Sequence, residues 1–163
     1  MNNLLEYRHQ TETGNILVGE ELLKQLDLMI ADLDNQRYIY DETLGNLRID
    51  FIETFCKHTK SPFNGQTFIL ELWEKAIIQI AYGFKIKETG LRRLNEVILL
   101  VARKNGKTTF VAGIDLAEFF LSKGGVVIVC ASNTSEQTNI LFEEINNMII
   151  NKVFSATIIL CYF

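Results

Sequence analysis

Gly106, Lys107 and Thr108 stand in a row in the 163-residue chain. A lysine ammonium can bind phosphate oxygens, and a threonine hydroxyl can hold Mg²⁺. A glycine before them lets backbone N–H groups close on the anion. The triplet is therefore suited to gripping a polyphosphate with its metal. The usual phosphate loop has a further glycine at its entrance. Here Val101 holds that place. The bare triplet arises by chance in about one chain in ten of this size, so the flanking elements must decide.

A phosphate loop needs a strand before it and a helix after it, because the free N–H groups at the helix start face the anion. The run 96–102, "EVILLVA", is short, apolar and rich in branched residues, as in a strand buried on both faces. Residues 107–123 follow with Phe110, Ile114, Ala117 and Leu121 at helical spacing, stopped by Gly124 and Gly125. "VVIVCA" (126–131) predicts a second buried strand. Residues 132–150 predict a helix that opens on N-cap candidates. Strand, helix, strand, helix implies a parallel sheet covered by helices.

Upstream, three helical stripes are expected. Residues 19–34 carry Leu22, Leu26, Met29, Ile30 and Leu33. Residues 47–58 carry Leu47, Phe51, Ile52 and Phe55. Residues 70–82 carry Trp73, Ala76, Ile77 and Ile80. The single proline, Pro62, marks a turn-rich linker, and Gly83 and Gly90 bracket a polar loop. The fold class expected is α/β: an incomplete parallel sheet with flanking helices, preceded by an N-terminal helical region. The expected divisions are 1–60, 61–150 and a divergent tail at 151–163.

Composition narrows the partners. Hydrophobic residues make up 48% of the chain, as in a folding sequence. A net charge of −4 gives no reason to expect non-specific nucleic-acid binding by the whole chain. Residues 85–107 nevertheless hold seven of the sixteen Lys/Arg: Lys85, Lys87, Arg92, Arg93, Arg103, Lys104 and Lys107. That cluster suits an anionic ligand or a solvated face. Cys56, Cys130 and Cys161 lack zinc-ligand spacing and read as thiols of a reducing compartment, with Cys56 as buried filler. No apolar run has the length of a membrane span, and the polar start is unlike a signal peptide. A cytoplasmic location is expected.

The stretch "LRRLNEVILLVARKNGKTTFVAG" resembles the ATPase motif of the large terminase subunit of tailed bacteriophages. That family uses altered phosphate loops of the form Ala/Pro-Arg-x-x-Gly-Lys-Ser/Thr, without the first glycine. The likeness extends through residues 48–85 upstream and 126–149 downstream. It implies a motor that drives viral DNA into a procapsid, using ATP and Mg²⁺ in the host cytoplasm. It implies double-stranded DNA, a small terminase subunit and a portal as partners, with a homo-oligomer as a further possibility. By position, Lys107 would bind the β/γ phosphates and Thr108 the Mg²⁺. Asn105 and Gly106 would shape the cradle, and Thr109 would continue the helix. Arg103 would act on the γ-phosphate as an arginine finger. Where the family has an adenine-reading glutamine after an aromatic residue, this chain has Trp73-Glu74. A carboxylate only accepts hydrogen bonds, so it matches adenine N6–H₂ but not N7. Gln137 is expected to be structural.

The family's ATPase also needs an apolar strand ending in Asp-Glu, and its nuclease needs further carboxylates. No apolar strand after residue 131 ends that way. Glu143 and Glu144 are expected mid-helix and facing solvent. The sequence thus reads as an ATP-binding part of a large terminase, truncated and inactive alone. The alternatives are another phosphate-loop enzyme, such as a helicase-like protein or small kinase, and a non-catalytic module with a chance triplet.

Overall fold

The computed structural model describes residues 2–122 and 124–150. The expected tail at 151–163, with Cys161, lies outside them. Contacts group the chain into two units. One comprises Met1–Ile49 and Leu70–Leu100. The other comprises Asp50–Ile69 and Val101–Phe163.

The first unit holds α1 (Asn3–Glu12), α2 (Glu20–Ala31), β1 (Tyr38–Tyr40), the start of α3 (Glu42–Phe55), α4 (Leu72–Gly83) and β2 (Phe84–Ile86). Its core gathers Leu4 and Tyr7 of α1, Leu26 of α2, Ala76 of α4 and Phe84 of β2. Helix α1 was not expected, since its sequence is mostly polar. Its first free amides are nevertheless all satisfied. Asn3 N–H and Leu4 N–H donate to Oε1 of Gln79, at 2.6 and 3.2 Å. Leu5 N–H donates to Oδ1 of Asn2, and Glu6 N–H to its carbonyl. A buried glutamine from α4 thus caps a helix distant in sequence, and its own amide donates to Asn46 of α3 at 2.7 Å.

Helix α3 begins at Glu42, upstream of the expected 47. Asp41 accepts from Thr43 N–H at 3.1 Å and caps the start. Its expected stripe is corrected. Ile49, Phe51 and Ile52 are buried, while Leu47 and Phe55 are exposed. Gly45 lies inside the helix because α4 approaches closely there. A Cβ on Gly45 would fall 2.8 Å from the Gln79 Cα.

The sheet differs most from expectation. Among the described residues it has two strands, β1 and β2, paired antiparallel with Tyr40 opposite Phe84. Among the described residues the expected strands at 96–102 and 126–131 join no ladder, and no parallel sheet is shown there. Neither run is buried on both faces as expected. Ile98, Leu100, Val127 and Val129 are each more than three-quarters exposed. A helix satisfies its own backbone, whereas a strand exists only with a neighbour. Instead β2 forms in the stretch read as a polar loop, where Gly83 permits close approach of the Tyr40 ring.

The second unit holds the end of α3, a turn-rich excursion over 56–68, α5 (Lys107–Leu121) and α6 (Ser135–Met148). Phe51, Ile52 and Cys56 are buried here, as are Phe110, Leu116 and Ala117 of α5 and Met148 of α6. Burial pushes the Cys56 thiol up to about 12, so it behaves as the buried filler expected. Gly113 lets α5 lie against Ile52, whose Cγ2 would be 3.3 Å from an added Cβ. Thr134 caps α6 by accepting from Gln137 N–H.

Candidate functional site

Residues 101–106 turn from the run 96–102 into α5, and two of them need the left-handed region. Lys104 has φ +69° and Gly106 has φ +72°. Space is open around Gly106, so its backbone angle rather than crowding asks for glycine. Gly106 is also the N-cap of α5 and offers no side chain to its amides. The first bond of the helix runs from Phe110 N–H to the Gly106 carbonyl. The earlier amides therefore meet no capping side chain, and the positive end of the helix dipole faces the loop.

Lys107 folds back across this loop. Its Nζ donates to the Val101 carbonyl at 2.8 Å, so the ammonium bridges the loop's entrance and exit. Val101 thus serves the loop through its backbone, where the side chain is immaterial. Arg103, Lys104 and Asn105 are exposed on the turn, and Thr108 is half-buried in the first turn of α5. The arrangement offers backbone donors, three cationic side chains and a hydroxyl within one short stretch. That set is suited to a multiply charged anion.

The basic cluster divides between the two units. Lys85, Lys87, Arg92 and Arg93 belong to the first unit. Arg93 is committed there: it pairs with Asp32 and lies 4.7 Å from the Tyr38 ring centroid. Arg92 lies over the Tyr82 ring at 5.3 Å.

Glu74 also belongs to the first unit. It is buried and forms a capping box with Glu71 at the start of α4, accepting from Glu71 N–H at 2.8 Å. Burial pushes its carboxyl up to about 7, against the lowering effect of that bond.

Glu144 corrects an expectation. Glu143 is exposed as expected, but Glu144 is only 1% exposed. Thr109 Oγ1 donates to Glu144 Oε1 at 3.0 Å. Lys60 Nζ lies 2.9 Å from Oε2, close enough for an ion pair though not aligned as a hydrogen bond. The sequence hid this partnership because it joins residues far apart in the chain. The only hint was spacing, since Glu144 falls one turn before Met148 on the apolar side of α6.

Among the described residues, no group of His, Cys, Asp and Glu is placed to hold a metal ion. None of their helices is long and apolar enough to cross a membrane. Curated proteins and solved structures give no significant match. The family model of the terminase large subunit, ATPase domain, matches residues 72–159, over half of the chain and including the whole loop and α5. The chain therefore belongs to the terminase large subunit ATPase-domain family.

Proposed function

We propose that this chain supplies the ATP-binding part of a phage packaging motor, with the loop at 101–108 as the phosphate cradle. The observation that carries the reading is the uncapped start of α5 with Lys107 folded over it. On binding, the Lys107 ammonium would leave the Val101 carbonyl for the β/γ phosphates of ATP. The amides of Gly106 to Thr109 would close on the same oxygens. Thr108 would present its hydroxyl to Mg²⁺, and the exposed Arg103 would meet the γ-phosphate. Asn105 and Gly106 shape the turn. Family membership supports double-stranded DNA, a small subunit and a portal as partners of the motor.

Hydrolysis needs more than this cradle. A base that activates water contributes about 10²–10⁴-fold. Glu144 does not provide one here, being buried and paired with Lys60.

The test is calorimetry with Mg²⁺-ATP. Lys107→Ala should weaken ATP binding at least tenfold, since a charge-assisted contact is worth about 1.5–3 kcal/mol. Its circular dichroism should be unchanged, because the hydrogen bond that Lys107 makes to the Val101 carbonyl lies within the loop and not in the core. Equal affinities for the two proteins would end the nucleotide-site reading.

A further inference from the structure

We propose that Glu144 is a positioning residue of the phosphate cradle, fixing the first turn of α5 through the Thr109 hydroxyl; this rests on the nucleotide reading above. Three separate segments meet on the one carboxylate. Thr109 comes from the first turn of α5, Glu144 from near the end of α6, and Lys60 from the excursion over 56–68. All belong to the second unit.

The excursion is itself well tied. His58 N–H donates to the Gln66 carbonyl and Gly65 N–H to the His58 carbonyl, at 2.9 and 2.8 Å. Phe68 N–H donates to the Cys56 carbonyl at 3.0 Å. The His58 ring lies against Phe63 and Phe68. Lys60 therefore reaches Glu144 from a braced turn.

Thr109 immediately follows Thr108. A hydroxyl pinned to a buried anion holds the turn that carries Lys107 and Thr108, and so would keep the Thr108 hydroxyl in place to hold Mg²⁺. Precision of this kind is what a bound polyphosphate needs from its supporting residues. A negative group behind a phosphate site would repel the ligand if left alone. Lys60 balances that charge. Burial works against the ionised form of Glu144, yet Lys60, Thr59 and Thr109 outweigh it and hold the carboxyl below its ordinary value. Mere packing of α6 on α5 needs only an apolar residue here, as Met148 supplies one turn later.

The experiment compares ATP affinity of the full chain with Mg²⁺ and with EDTA, by calorimetry. Glu144→Ala and Thr109→Val should each lower Mg²⁺-ATP affinity roughly tenfold, the size of one charge-assisted hydrogen bond. The advantage given by Mg²⁺ should shrink in both. The double variant should lose no more than either alone, because the two residues share one interaction. Glu144→Gln keeps an oxygen for Thr109 and should recover most of the loss. Thr109→Val keeps the shape of the side chain, so it decides the matter if Glu144→Ala does not fold. Variants that are less stable but bind ATP with unchanged affinity and unchanged Mg²⁺ dependence overturn the proposal while Lys107→Ala still weakens binding. Equal binding by wild type and Lys107→Ala removes the nucleotide reading, and this role with it.

Discussion

Glu74 and Glu144 are both buried carboxyls, yet they shift in opposite directions. At Glu144, partners outweigh burial and the acid is strengthened. Its contribution to stability is present above the ordinary carboxyl range and is lost as pH falls through its lower folded value. At Glu74, burial wins, Glu71 adds repulsion, and the carboxyl stands at about 7. The folded protein then holds a proton that the unfolded chain has released. Stability must fall as pH rises from about 4.5 to about 7, and level off above. The displacement is worth on the order of 2 kcal/mol once partial solvent screening is allowed for. Glu74→Gln should remove this slope, because an amide can still accept from Glu71 N–H without a charge to bury. Thermal unfolding at pH 5 and pH 8 checks it. The variant should gain in Tm at pH 8 and little at pH 5. Equal shifts at both would show that Glu74 is not titrating between them. The same capping box gives Glu74 a structural role that its resemblance to a base-reading position did not suggest. Glu71 and Glu74 have capping-box spacing, but with Glu in place of the usual Ser or Thr.

Helices α2, α4, α5 and α6 were legible because a helix needs only its own residues, an apolar face and a start signal. Thr134 opening α6 is such a signal. Helix α1 was not legible, since Gln79 in α4 completes its cap. The expected parallel strands are not paired among the described residues. An apolar run supplies the residues of a strand but not the neighbour that makes it one. Gly45 shows the same limit inside a helix. Read alone, it is a weak point of α3, and alanine there should stabilise the helix by about 1 kcal/mol. In the fold, the new methyl would fall 2.8 Å from the Cα of Gln79, which is backbone and cannot swing away. Overpacking of this kind costs about 1–3 kcal/mol. Gly45→Ala should therefore destabilise the first unit, lowering the urea midpoint. A raised midpoint would show that α3 and α4 can part without loss. The turn into α5 was legible, because Gly106, Lys107 and Thr108 are contiguous and their backbone geometry is local. The Thr109–Glu144–Lys60 partnership was not, because it depends on how α5, α6 and the excursion over 56–68 pack.

At the scale of the whole molecule, apolar backbone segments lie open beside a modest charge. Ile98 is 78% exposed, Leu100 91%, Val127 83% and Val129 81%. The runs that carry them join no ladder among the described residues. Their N–H and C=O groups can pair with another chain, and branched apolar side chains reward that pairing. A net charge of −4 spread over 163 residues opposes such contact weakly, and salt screens it further. The chain should self-associate in a concentration-dependent way at micromolar levels, more strongly as ionic strength rises. Two substitutions at exposed positions address the cause directly. Ile98→Lys and Val127→Lys place a charge on each open run, the device that natural edge strands use against pairing. Light scattering after size exclusion should show a smaller mass for the double variant than for the wild type at equal concentration. Mg²⁺-ATP affinity should be the same in both, since neither residue is in the loop at 101–108. A wild-type chain that stays monomeric at high concentration and high salt would mean that the open runs are protected, and the lysine substitutions would then change nothing.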